Sequence, residues 1–157
     1  MIELTNPRWN NLAGNYGNGS MVADLIARAK AGAPLGEWYE NLFQSLCHQY
    51  TVSEVAYAAA PHLVKIAESP AAPRMELLIL LGSCIAFSDP SNFARIPPEF
   101  KEDWDASARA AIPLLAELLA EPHSSQAELL NLLFAMAAFN GHSSLARAIE
   151  ALDPDTE

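Results

Sequence analysis

Two stretches, "AYAAAPHLVKIAESPAAPRMELLILLGSCIAF" (56–87) and "ARAAIPLLAELLAEPHSSQAELLNLLFAMAAF" (108–139), align without a gap when the chain is shifted by 52 residues. Thirteen of the thirty-two positions are identical, among them Pro61, Leu63, Pro70, the run Glu76-Leu77-Leu78, Leu80, Leu81 and Phe87. Composition supplies some of the Ala and Leu matches; the two proline pairs and the Glu-Leu-Leu run are harder to obtain by chance. Such a repeat is a supersecondary unit that cannot bury its apolar face alone and must stack on its copy. Each unit reads as helix, short turn, helix. Pro61 and Pro113 fall inside the first helix, where each removes a backbone hydrogen bond and should bend the rod. Pro70 and Pro122 fall in the turn. The second helix starts at Pro73 in one unit; in the other it starts at Ser125, which with Glu128 makes a capping box.

Working outward, Asn6 caps a short helix with Pro7 at its first position, and Gly14 closes it. Asn18 to Ser20 start a second helix with Val22, Leu25, Ile26 and Ala29 on one face and Gly32 at its end. A third runs from about Gly36 through Trp38, Leu42, Phe43 and Leu46. At the corner that follows, Thr51 and Glu54 have capping-box spacing, and Tyr50 with Val55 is placed as a hydrophobic staple. Residues 142–152 read as a closing helix, "DPDTE" at the end should fray, and 88–105 is the one long irregular segment. The expectation is a single all-α domain over 1–157, with helical pairs at about 19–48, 52–87 and 99–140.

Apolar residues make up 51% of the 157, dominated by Ala and Leu, which favours helix over sheet. A chain of this length buries roughly 70% of its unfolded surface and needs neither metal nor disulfide to hold a core. Nine Lys and Arg stand against 19 Asp and Glu, a formal charge of −10. That surface repels phosphate backbones and anionic lipid and draws basic partners, so neither nucleic acid nor membrane is an expected partner. The N-terminal stretch has no basic and apolar leader pattern and no uncharged run long enough to span a bilayer, which gives a soluble cytoplasmic protein as the expectation.

Each motif with chemical potential also has a structural explanation. Cys47 beside His48 suggests a thiol activated by imidazole, but neighbours on a helix point about 100° apart, and a helix C-terminus raises a thiol. His48 then serves as a last-turn residue bonding free carbonyls, and Cys47 and Cys84 as small hydrophobes. No two of His48, His62, His123 and His142 are three or four residues apart, so no metal or other cofactor is expected. Carboxylate pairs such as Glu37 with Glu40 read as solvated faces.

One surface feature stands out. "PPEFKEDWD" (97–105) sets Phe100 and Trp104 among Glu99, Glu102, Asp103 and Asp105. It reads either as an acidic helix start with Trp104 packed inward, or as a docking edge whose aromatic anchor is ringed by charge for a basic protein.

A Pro-bent first helix paired with an apolar second helix resembles the HEAT and HEAT-like α-solenoids. More narrowly, Trp9, Leu12, Tyr16 and Gly17, followed by His48, Gln49, Thr51, Val52, Pro61 and Leu63, are similar to the pattern of a group of small bacterial HEAT-like proteins. Tyr50 stands where that pattern has Gly. The resemblance covers about residues 8–67 and implies a short α-solenoid of stacked helical hairpins. Some members resemble immunity proteins of bacterial toxin systems. It implies a non-enzymatic protein-binding module, and more specifically an immunity protein that blocks a basic toxin domain; an unrecognised enzyme or a small-molecule-binding helical domain is the alternative. HEAT-like folds also include DNA glycosylases, but those need a basic concave surface, and nine dispersed basic residues do not supply one.

Overall fold

A computed structural model describes residues 1–88 and 96–152. Among them are seven α-helices: α1 (Gly19–Lys30), α2 (Tyr39–Leu46), α3 (Glu54–Ala67), α4 (Arg74–Phe87), α5 (Pro98–Leu119), α6 (Gln126–Phe139) and α7 (Ser143–Glu150). Two two-residue strands, β1 (Cys47–His48) and β2 (Thr51–Val52), pair antiparallel between α2 and α3. The expected all-α character holds except for this one hairpin.

The helix limits follow from their caps. Asn6 accepts from the Arg8 amide and starts a 3-10 turn, Pro7–Asn11, although Leu12 rather than Gly14 closes it. Asn18 accepts from the Met21 amide at 3.2 Å and starts α1. Gly32, at φ +79°, reverses the chain after α1, and the next amide, Ala33, returns to the Arg28 carbonyl. The third expected helix is broken, with a 3-10 turn at Leu35–Glu37 before α2. Ser125 accepts from the Glu128 amide at 3.1 Å, as a capping box requires. The Glu128 carboxylate, however, reaches back to the Ser124 amide and hydroxyl, one residue further than the box; these bonds hold its carboxyl below the usual range.

Helix α3 ends at Ala67 and α5 at Leu119; α4 and α6 begin at Arg74 and Gln126 and end at Phe87 and Phe139, so each end recurs 52 residues on. Pro61 and Pro113 both lie inside their helices. Helix α3 packs on α4 and α5, α6 packs on α4 and α5, and α7 packs on α6 and α4. Helix α4 is apolar all round because it is enclosed: Leu77, Leu78, Leu80, Leu81 and Cys84 are at most 1% exposed. Each buried leucine is worth about 1.5–3 kcal/mol of transfer free energy. Helices α4 and α6 meet closely at Gly82, where a Cβ would lie 2.9 Å from the Ala135 Cα and Cβ.

The expected capping box at Thr51 does not form. Thr51 is an exposed strand residue and Ser53 is the N-cap of α3. The Ser53 hydroxyl donates to the Ser45 carbonyl at 2.7 Å, and the Glu54 carboxylate accepts from the Ala13 amide at 3.4 Å. Tyr50 is 59% exposed and its ring lies 4.6 Å from that of Phe87, tilted by 56°, rather than stapling Val55. Gln49 and Tyr50 both have positive φ, 45° and 64°, so the two-residue loop reverses with the left-handed pair of residues that such tight hairpins need. The Gly of the related pattern is dispensable here, at the expense of strain in both residues.

Two stability results follow. Thr51→Ala should change the unfolding free energy by no more than about 0.5 kcal/mol, as for other surface sites, while Ser53→Ala should lower it by about 1 kcal/mol. At the turn, Gln49→Asn should raise the unfolding free energy and Gln49→Val should lower it, by about 1 kcal/mol between them in urea denaturation, because a β-branched residue resists positive φ.

Residues 98–105, part of the stretch expected to be irregular, belong to α5, which begins at Pro98, close to the start expected for the third helical pair. Residues 89–95 and the "DPDTE" tail lie outside the described residues.

Candidate functional site

The acidic segment occupies the first two turns of α5. Phe100 and Trp104, four residues apart, fall on one face, and that face turns inward: they are 3% and 7% exposed. The Trp104 ring meets Tyr57 of α3 edge-on at 4.9 Å. Of the two readings of this segment, the helix start with Trp104 packed inward is the one observed; Phe100 and Trp104, named as partner-binding residues, are instead committed to the core by a helix begun at Pro98.

The carboxylates face outward, and three are tied within the chain. Glu99 pairs with Arg8 at 3.3 Å, Asp105 with Lys101 at 2.7 Å, and Asp103 with the N-terminal amine. Arg8 also lies over the Phe100 ring at 5.9 Å. Glu102 and Glu99 are exposed. Ion pairs at such exposed positions contribute about 0–1 kcal/mol each, so they fix the N-terminal segment against α5 only loosely.

At the corner, Cys47 and His48 are successive strand residues and face opposite ways; they are not on a helix as expected. His48 Nδ1 donates to the Gln44 Oε1, which leaves Nε2 to accept from the Tyr16 hydroxyl at 2.9 Å. Both ring nitrogens are engaged by side chains, not by helix-end carbonyls, and neither serves Cys47. The neighbouring Cys84 thiol holds Cys47 below the usual thiol value, against the opposing effects of burial and Glu150. Nothing local in the sequence marks that effect.

A cleft of about 580 Å³ opens between α1, α3 and the N-terminal segment, lined by Leu4, Ile26, Lys30, His62, Lys65 and Ile66 among others. His62 Nε2 donates to the Ile2 carbonyl at 2.8 Å, and its ring lies 5.9 Å from Trp9. Burial pushes His62 below its ordinary 6.5, with Lys30 and the N-terminal amine acting the same way against the Ile2 bond and Glu3. A neutral His is thus favoured by the fold. Stability is complete above 6.5 and should fall as the pH drops below it, where the unfolded chain takes up the proton first. His62→Gln should flatten this acid limb in denaturant midpoints measured on either side of that pH.

Among the described residues no three His, Cys, Asp or Glu side chains gather as a metal site would require, and no helix is long and apolar enough to cross a membrane. Comparisons with protein-family models, curated proteins and solved structures find no match to the chain.

Proposed function

We propose that the chain is a non-enzymatic protein-binding module, a short HEAT-like α-solenoid whose acidic face receives a basic protein. The observation that carries this reading is the outward set of Glu99, Glu102, Asp103 and Asp105 on a helix anchored by the buried Phe100 and Trp104. Arg8, Lys101 and the N-terminal amine offset three of them, so the field comes from Glu102 and from the chain's net charge of −10. Rigid helices hold those charges in place, and complementary fields raise association rates and fix orientation. The recurrence of helix ends at 52 residues, with hairpin packed on hairpin, supports the solenoid reading. Within that class the role that fits best is an immunity protein occluding a basic toxin domain, as the sequence resemblance and the net charge of −10 together imply.

Co-expression with the protein encoded by the adjacent gene tests this. A basic partner should co-purify with the wild-type chain and be lost from Glu99→Lys/Glu102→Lys, two exposed positions whose reversal spares the core. Retention of the partner by the double variant would remove the acidic face from the interface.

The cleft beside His62 favours a second reading, a small-molecule-binding domain. Its apolar walls with Lys30 and Lys65 at hand suit an amphipathic carboxylate. Octanoate should then raise the melting temperature of the wild type and not of Lys30→Glu; an equal response of both would exclude a ligand in this cleft.

A further inference from the structure

A cleft of about 460 Å³ lies where α2, the hairpin, α4, α6 and α7 converge. It shares no residue with the cleft beside His62 and none with the acidic turns of α5. Four aromatic side chains line it: Phe43 from α2, Tyr50 from the hairpin loop, Phe87 from the end of α4 and Phe134 from α6. The Tyr50 and Phe87 ring centroids are 4.6 Å apart with the rings tilted by 56°, and those of Phe87 and Phe134 are 6.2 Å apart at 33°. Rings inclined in this way leave part of their faces uncovered by one another. One charged group joins them. Glu150, the last residue of α7, is exposed and lines the cleft, and it has neither an ion pair nor a side-chain hydrogen bond among the described residues. None of the described residues lining the cleft carries a positive charge.

We propose that this cleft binds a small organic cation with an apolar body, an alkyl- or arylammonium whose charge lies between the aromatic rings and Glu150. The faces of aromatic rings carry partial negative charge and attract a cation, most strongly a poorly hydrated one such as a quaternary ammonium. Glu150 adds a full negative charge at the negative end of a helix, and the chain's net charge of −10 concentrates cations around the whole surface. Other ligand classes fit less well. A neutral molecule filling the same space strips water from the Glu150 carboxylate without replacing it, and an anion meets that carboxylate as a like charge. The volume falls within the range of about 300–1,000 Å³ that small-ligand sites occupy.

The hairpin loop points the same way. Gln49 and Tyr50 hold positive φ without a glycine, and both line the cleft. Backbone strain of this kind persists where the surrounding structure demands it, and it gathers at ligand clamps. Here it sets the Tyr50 ring, 59% exposed, beside Phe87, where solvent and ligand both reach it. A glycine at that position would relieve the backbone and remove the ring.

The test is a titration of the native protein with benzyltrimethylammonium, followed by amide chemical shifts. Binding should saturate with a dissociation constant below about 1 mM, with the largest shifts around Tyr50, Phe87 and Phe134. Benzyl alcohol, which has the ring without the charge, should bind at least about fivefold more weakly. Glu150→Gln should weaken the ammonium at least about threefold, whereas Glu121→Gln, which removes the same charge at an exposed site outside the cleft, should leave the constant unchanged. Tyr50→Asn, whose new side chain tolerates positive φ, should stay folded by circular dichroism and bind at least about threefold more weakly. The comparison of the two probes on the wild type decides even where a variant does not fold. Shifts that never saturate, largest shifts on α5 or beside His62, or benzyl alcohol bound as tightly as the ammonium would each overturn the proposal. So would unaltered affinity in Glu150→Gln or Tyr50→Asn, or equal losses in Glu150→Gln and Glu121→Gln. None of these outcomes bears on the acidic face of α5.

Discussion

Replacing Trp104 by alanine is expected to lower the unfolding free energy by about 3–5 kcal/mol, a large part of the 5–15 kcal/mol typical of a domain. The side chain is 7% exposed, and its edge-on packing against Tyr57 joins α5 to α3. Truncation leaves a void between two long helices that the backbone cannot readily close. Urea denaturation measures the loss directly, and a fall of roughly 10 °C in melting temperature should accompany it. An unchanged midpoint with faster partner dissociation would restore Trp104 as an exposed anchor.

A comparable effect is expected where α4 crosses α6. Gly82→Ala gains up to about 1 kcal/mol in helix propensity. It also places a methyl carbon 2.9 Å from both the backbone and the side chain of Ala135, closer than carbon atoms can approach. Parting two packed helices costs about 1–3 kcal/mol, so the clash outweighs the propensity and the variant is less stable. The larger Gly82→Val should lose more. In wild type Ala135→Gly should cost about 1 kcal/mol, as glycine in a helix interior does; in the Gly82→Ala background it also relieves the clash with the side chain while leaving the one with the backbone, so its cost there should be smaller. Additive effects in that double-mutant cycle would show that the helices do not meet there.

The helix pairs are legible in the sequence because their signals are local and repeated. Prolines 52 residues apart, the Glu-Leu-Leu run and the Ser125 cap each act within a turn or two of chain, and the helix ends fall where they direct. The corner misleads for the opposite reason. A tight hairpin is usually announced by Asn-Gly, whereas Gln49 and Tyr50 adopt positive φ without either residue, so Thr51 and Glu54 read as a cap. In the acidic segment the charge is legible and the side-chain directions are not, because the phase of α5 depends on a helix beginning at Pro98. The cleft beside His62 and the pairing of Tyr16 with His48 involve segments far apart in sequence, which no local pattern records.

The central claim, that an acidic helical face receives a basic protein, is tested most directly by the association rate constant with the basic product of the neighbouring gene, measured by stopped flow across a range of ionic strength. The rate should be high at low salt, fall steeply as salt screens the field, and drop at least about tenfold at low salt in Glu99→Lys/Glu102→Lys with its thermal stability preserved. No measurable complex, or a rate indifferent both to salt and to the double reversal, would contradict the account.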